Sequence, residues 1–144
     1  MIRKAQITDA AIVAELAAKV WTSAPVDTLI EEFQEFLVST DSATYLYIMN
    51  DIPVGFAQCQ LRRDYVEGTE TSPVGYLEGV YVEPDHRKQG YAKALVAACE
   101  DWAKSIGCTE FASDCELHNT DSLAFHLHSG FTEANRIICF TKQI

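Results

Sequence analysis

The chain has 144 residues, 48% of them hydrophobic and 22% charged, a size and balance that fit one folded domain with one core and exclude a disordered segment. Acidic side chains outnumber basic ones by 21 to 11, for a formal charge of −10, so long-range repulsion disfavours nucleic acid as a partner. The longest early apolar stretch, residues 10–18, is broken by Glu15 and is too short for a secretory core or a bilayer span, which implies a cytoplasmic protein without membrane contact. Five cysteines, Cys59, Cys99, Cys108, Cys115 and Cys139, contain no C-x-x-C pair. They read as reduced thiols, mostly in the core, with no disulfide framework and no structural zinc.

In chain order, Met1 to Ile7 suits a short strand. Thr8 or Asp9 can cap a helix that carries Ile12, Val13, Leu16 and Val20 on one face and ends near Trp21. Pro25 suits a second helix start, with Leu29, Ile30, Phe33, Phe36 and Leu37 at helical spacing against Glu31, Glu32 and Glu35. Thr44 to Met49 and Val54 to Leu61, joined by Asn50-Asp51-Ile52-Pro53, predict a hairpin. Val74 to Val82 reads as a largely buried strand in which Gly79 marks a bulge, and Pro84 ends it. From Tyr91 to Gly107 the helical period is unbroken. Thr109 to Ser113 follows as a strand, Thr120 to His128 as a helix closed by Gly130, and Ile137 to Lys142 as a final strand. No repeat or linker divides the chain, so residues 1–144 form a single α/β domain of order βααβββαβαβ.

The turn between the Val82 strand and the next helix, Arg87-Lys88-Gln89-Gly90-Tyr91-Ala92, brings a flexible glycine and basic residues, Lys93 included, to a helix start. Helix N-termini attract anions through unpaired N–H groups. The preceding stretch, Asp64 to His86, holds six acids and no Lys or Arg, so this is a local reversal of charge; a solvated basic turn is the plainer alternative. Arg87, Gly90 and Ala92 match the R/Q-x-x-G-x-G/A motif, and Asn119, Ser122, His126 and Gly130-Phe131 match the later pattern, of the GNAT superfamily of acetyl-CoA-dependent N-acetyltransferases, which the chain resembles. The resemblance implies a mixed, mostly antiparallel sheet with a bulged central strand flanked by helices. It also implies acetyl-CoA as cosubstrate, without a metal. The coenzyme arm would run along Val80, Tyr81 and Val82, the turn from Arg87 through Lys88, Gln89, Gly90, Tyr91 and Ala92 to Lys93 would hold its pyrophosphate, and Asn119 would bond the arm or simply cap a helix.

Acetyl transfer to an amine needs a neutral nucleophile and a proton for the leaving thiolate. Glu78, beside the bulge and among Tyr76, Leu77, Val80 and Tyr81, is the first candidate base. Asp114, at the end of the next strand, is a second catalytic carboxylate or a turn residue. His126 stands where many GNAT enzymes place a proton-donating tyrosine, or is an ordinary helix histidine. Two longer stretches, Arg62 to Val82 and Cys108 to Asp114, resemble aminoglycoside 6′-N-acetyltransferases of the small chromosomal type. By that likeness Trp21, Tyr65, Glu78, Asp114 and Asn135 line an antibiotic site, with carboxylates meeting ammonium groups and aromatic faces meeting sugar rings; without it Trp21 and Tyr65 read as packing aromatics. Asn135 departs from an acidic residue in relatives, and Thr22 and Ala24 depart from a Pro and a His. A homodimer is expected from the same likeness. Transfer to another polyamine or a protein amine, and a non-catalytic acetyl-CoA-binding module, are the alternatives.

Overall fold

A computed structural model describes all 144 residues. The elements are β1 (Ile2–Lys4), α1 (Ala10–Ala17), α2 (Val26–Val38), β2 (Ser42–Met49), β3 (Ile52–Arg62), β4 (Val74–Val82), α3 (Tyr91–Ser105), β5 (Phe111–Ser113) and α4 (Thr120–His128), with 3-10 turns at Ile7–Asp9 and Pro84–His86. The strands form one sheet in sequence order, antiparallel from β1 to β4 and parallel between β4 and β5.

The strand period of two divides the core between the faces of this sheet. Ala43, Ala57, Cys59 and Leu77 meet Leu95, Val96, Cys99 and Trp102 of α3 on one face. Leu46 and Phe56 meet Val13, Leu16, Leu29 and Phe33 of α1 and α2 on the other. Asn50 and Asp51 close the β2–β3 hairpin with φ of 49° and 64°, the paired left-handed residues of a type I′ turn. Cys59, Cys99 and Cys108 are buried, Cys115 and Cys139 exposed, and all five are free.

Three expectations need correction. α1 ends at Ala17, short of Trp21, and Val20 lies outside the core. Neither Thr8 nor Asp9 caps α1 with its side chain; the Asp9 carboxylate instead accepts from the Gln6 N–H and from the Arg3 guanidinium. The final strand does not form. Residues 131–144 carry no regular secondary structure, and Ile137, Ile138 and Phe140 are exposed, because a strand needs a hydrogen-bonded neighbour and this tail has none within its own chain.

Candidate active site

The site begins where β3 and β4 lose register. Gln58 pairs with Gly79 and Cys59 with Leu77, so Glu78 is the extra residue of a bulge. Glu78 and Gly79 together oppose Gln58, which turns the Glu78 side chain to the α2 face of the sheet. Glycine at 79 is required by a close approach: a Cβ there would stand 2.7 Å from the Trp21 indole. Trp21 also packs 6.4 Å from Phe33 and 6.3 Å from Phe56 between ring centroids, so it is both a core aromatic and a wall of the site. A cavity of about 300 Å³ opens here, with Trp21, Glu32, Phe36, Gln58, Gln60 and Glu78 in its lining.

The second feature is a parting of strands. β5 pairs only with Gly75, Tyr76 and Leu77, while β4 continues to Val82. Beyond the bulge the β5-side edge of β4, through Val80, Tyr81 and Val82, is therefore open and able to bond an extended ligand. That edge leads to the α3 N-terminus. Gly90 holds φ +83° there, a left-handed conformation that glycine adopts at little cost, and no side chain caps the helix. Arg87 Nε donates to the Val82 carbonyl at 2.8 Å and its guanidinium carbon lies 5.3 Å from the Tyr81 ring centre. Lys19 approaches the same ring at 5.5 Å and pairs with Glu83, whose carboxyl this bond holds below the usual range. Tyr91 stacks on Tyr47 at 4.1 Å and donates to Gln89 Oε1 at 2.9 Å. Open edge, left-handed glycine, uncapped helix and basic side chains together fit a long ligand with a negatively charged end.

Across the parting, β5 and α4 carry the remaining candidates. Asn119 Oδ1 accepts from the Ser122 N–H at 3.1 Å, so its side chain does cap α4. His126 Nε2 lies 2.8 Å from Ser113 Oγ and Nδ1 2.7 Å from the Ser122 carbonyl. The carbonyl can only accept, so Nδ1 carries a hydrogen and Nε2 faces the serine. Ser113 Oγ is also 3.3 Å from the Leu77 carbonyl, next to the bulge. Phe131 packs 6.1 Å from Phe111 and 5.2 Å from His126, which ties the end of α4 to β5.

Asp114 accepts from the Tyr76 hydroxyl. Burial and that bond push the Tyr76 phenol well above its ordinary pKa. Asp114, His126 and Asn135 share a larger cavity of about 780 Å³ between β5, α4, the 66–69 loop and the tail. Its carboxylates, Glu67, Glu100, Glu110, Asp114, Glu116 and Glu133, face Arg136 as the single Lys or Arg, a field suited to a polycation. Tyr65 is 81% exposed and lines neither cavity. It reaches the site through Glu67, which accepts from Tyr65 Oη at 2.9 Å and from Asn135 Nδ2 at 3.0 Å.

The structure thus places Trp21 with Glu78, and Asp114 with His126 and Asn135, in two neighbouring cavities. What joins them is absent from the sequence reading. Gln60 Nε2 donates to Glu78 Oε1 at 2.8 Å, and Arg62 forks onto both oxygens at 3.0 and 2.9 Å, while the Arg62 guanidinium lies 3.5 Å above the Tyr76 ring centre. The available signal was Gln58, Gln60 and Arg62 at period two on an otherwise apolar strand.

A bulged strand parting from a parallel neighbour above a helix N-terminus defines an acyl-coenzyme A acetyltransferase site, and the chain belongs to the acetyltransferase (GNAT) family, whose model matches residues 10–131. Within it, the chain is 41% identical over 144 residues to an aminoglycoside N(6′)-acetyltransferase type 1 of Stenotrophomonas maltophilia, covering 99% of this chain and 93% of that protein. A protein of the same name from Acinetobacter haemolyticus is 40% identical over 130 residues, covering 90% and 89%. Among solved structures, AAC(6′)-Iy bound to the bisubstrate analogue CoA-S-monomethyl-acetylneamine superposes with a TM-score of 0.95 at 35% identity, over 100% of this chain and 98% of that one.

Proposed function

We propose that the protein transfers the acetyl group of acetyl-CoA to the 6′-amino group of aminoglycoside antibiotics by direct attack of the amine, and so confers resistance to them. The carrying observation is the bulge at Glu78, which aims a carboxylate into an acidic cleft beside the open edge of β4. Acetyl-CoA supplies the acyl group as an activated thioester. On this reading the β4 edge from Val80 to Val82 bonds the pantetheine arm, Arg87 to Lys93 hold the pyrophosphate, and the Asn119 cap fixes the start of α4 beside the arm. Trp21, Tyr65 and Asn135 border the drug, and Asp114 attracts a second ammonium group. Glu78, directly or through water, takes a proton from the 6′-ammonium. The freed amine nitrogen bonds the thioester carbonyl carbon, the carbon–sulfur bond breaks, and the thiolate takes a proton from the Ser113 hydroxyl; the second proton shed by the nitrogen passes through water to His126 Nε2, which returns it to Ser113.

The test is acetylation of kanamycin or tobramycin followed by release of free coenzyme thiol, with NMR of the product. Acetyl on the 6′ nitrogen is expected, and drugs with a 6′-hydroxyl should be poor substrates. Acetylation elsewhere on the drug, or turnover only on other polyamines or protein amines, overturns the assignment.

One GNAT domain spanning residues 1–144 is part of this reading, as is a cytoplasmic location, where acetyl-CoA is available and free thiols stay reduced; no helix is long and apolar enough to cross a membrane. The proposal extends to a homodimer. Ile137, Ile138, Phe140 and Ile144 are exposed on a tail without strand partners, and unsatisfied apolar strands commonly pair across a two-fold axis. Sedimentation should give twice the chain mass, and Phe140→Asp should shift it toward one.

A further inference from the structure

Arg62 is a cation beside a carboxylate that the functional reading reserves for another cation. It ends β3, and the alternation of that strand puts it with Gln60 on the face that also carries Tyr76 and Glu78. Its fork covers both Glu78 oxygens at 3.0 and 2.9 Å, and Gln60 adds a third donor at 2.8 Å. Its flat face lies 3.5 Å from the Tyr76 ring centre, and the Tyr76 hydroxyl donates to Asp114. Glu78, Arg62, Tyr76 and Asp114 therefore form one continuous chain from the first cavity to the second.

Each link uses a property specific to its residue. A glutamate on a bulge has a long, rotatable side chain, and an Arg fork fixes both the position and the plane of its carboxylate. Only a planar guanidinium can fork in its plane and stack on its face at once; an ammonium is a point charge. A carboxylate offers about four lone-pair directions, so three donors leave one for a substrate ammonium or its water. Arg62 can thus stay in place while the acceptor binds. The pair is partly exposed, with side-chain accessibilities of 39% for Arg62 and 17% for Glu78, so its value to fold stability is small.

We propose that Arg62 is a positioning residue of acetyl transfer: holding Glu78 by its fork and Tyr76 by its face, it sets the Glu78 and Asp114 carboxylates at the separation against which the acceptor's ammonium groups are registered. The proposal rests on the aminoglycoside reading above. The opposite role would be a counter-ion that the drug must displace, and the two roles differ in sign. A displaced counter-ion opposes binding, so its removal lowers KM; a positioning residue supports the reacting geometry, so its removal lowers kcat.

The experiment compares Arg62→Met, which keeps the stem and loses the fork, with Arg62→Lys, which keeps the charge. Both should lower kcat/KM for tobramycin by about 10-fold or more, mainly through kcat, with the acetyl-CoA Kd by calorimetry unchanged. Wild-type kcat in either variant, or a tobramycin KM below wild type, overturns the proposal. The clamp is read separately in the unliganded protein by NMR, without reference to turnover. The wild type should show a resolved, slowly exchanging Arg62 Nε–H signal that Glu78→Gln and Tyr76→Leu each shift. Its absence in the wild type, or its indifference to both substitutions, overturns the proposal even if turnover is normal. Failure of the wild type to acetylate any aminoglycoside, with that signal present, overturns the functional reading and leaves the clamp standing.

Discussion

The two sides of the cleft are built by different means. On the proposed coenzyme side, the β4 edge, the turn and the start of α3 follow one another in the chain, and their chemistry is mainly that of the backbone: an open strand edge, a left-handed Gly90 and an uncapped helix. Lys19 and Arg87 bracket the Tyr81 ring there, with Lys19 paired to Glu83. On the proposed acceptor side, Trp21, Arg62, Glu78, Asp114 and Asn135 come from five separate segments and present side chains in a field dominated by carboxylates. A common coenzyme with a long polar arm can be read by backbone geometry that varies little, whereas an acceptor with several amines needs charges placed individually.

Glu78→Gln tests that division most strongly. It keeps the shape and removes the proposed base, so kcat/KM should fall by roughly 100-fold or more, while the acetyl-CoA Kd stays at the wild-type value. A matching loss of coenzyme affinity would show that the two sides are not separable. Gly90→Val makes the reverse cut. A Cβ at residue 90 has no protein atom within 4 Å, so the penalty comes from the left-handed backbone. It should weaken coenzyme binding about 10-fold, by calorimetry, with tobramycin affinity unchanged.

Asp114→Asn sharpens the acceptor side. The amide oxygen can still accept from Tyr76, so the loss is Coulombic. KM for tobramycin should rise roughly 5-fold at low ionic strength, and added salt should bring the wild type toward the variant. A salt-independent rise would point to lost shape. The smallest effect belongs to a carboxylate on neither side. Arg3 forks onto Asp9 with both bonds at 2.8 Å, and this holds the Asp9 carboxyl below its ordinary pKa. The stabilisation is present above the unfolded value of about 3.9 and is lost as pH falls through the lower folded value. Asp9→Asn should therefore cost about 1 kcal/mol in neutral urea titrations, a difference that closes below about pH 4, with kcat and KM untouched.

The same division governs how much was legible beforehand. β4 occupies the expected Val74 to Val82, the helix from Tyr91 follows its apolar period, and a helix spans the expected Thr120 to His128. The bulge was marked at Gly79, and the register confirms it while making Glu78 the extra residue. Trp21 was named for the drug site, but its contact with Gly79 joins residues 58 positions apart and has no local signature. Gln60 and Arg62, and the links of Tyr76 to Arg62 and Asp114, have no sequence signature, because each is an ordinary strand residue until the bulge and the strand register bring them to Glu78.

The sequence by itself determined nine of the ten expected elements, the reversal of charge at Arg87 to Lys93 and the motif that marks a coenzyme turn, because hydrophobic period, turn chemistry and helix starts act over a few residues. Tertiary structure decided the rest. The parting of β4 from β5, the fork on Glu78, the bond from Tyr76 to Asp114 and the meeting of Tyr65 with Asn135 on Glu67 all depend on register between distant strands and loops. The unpaired tail teaches the same point in reverse. Ile137 to Lys142 has the composition of a strand, yet a strand exists only where another backbone accepts its hydrogen bonds, and no neighbour within this chain does so.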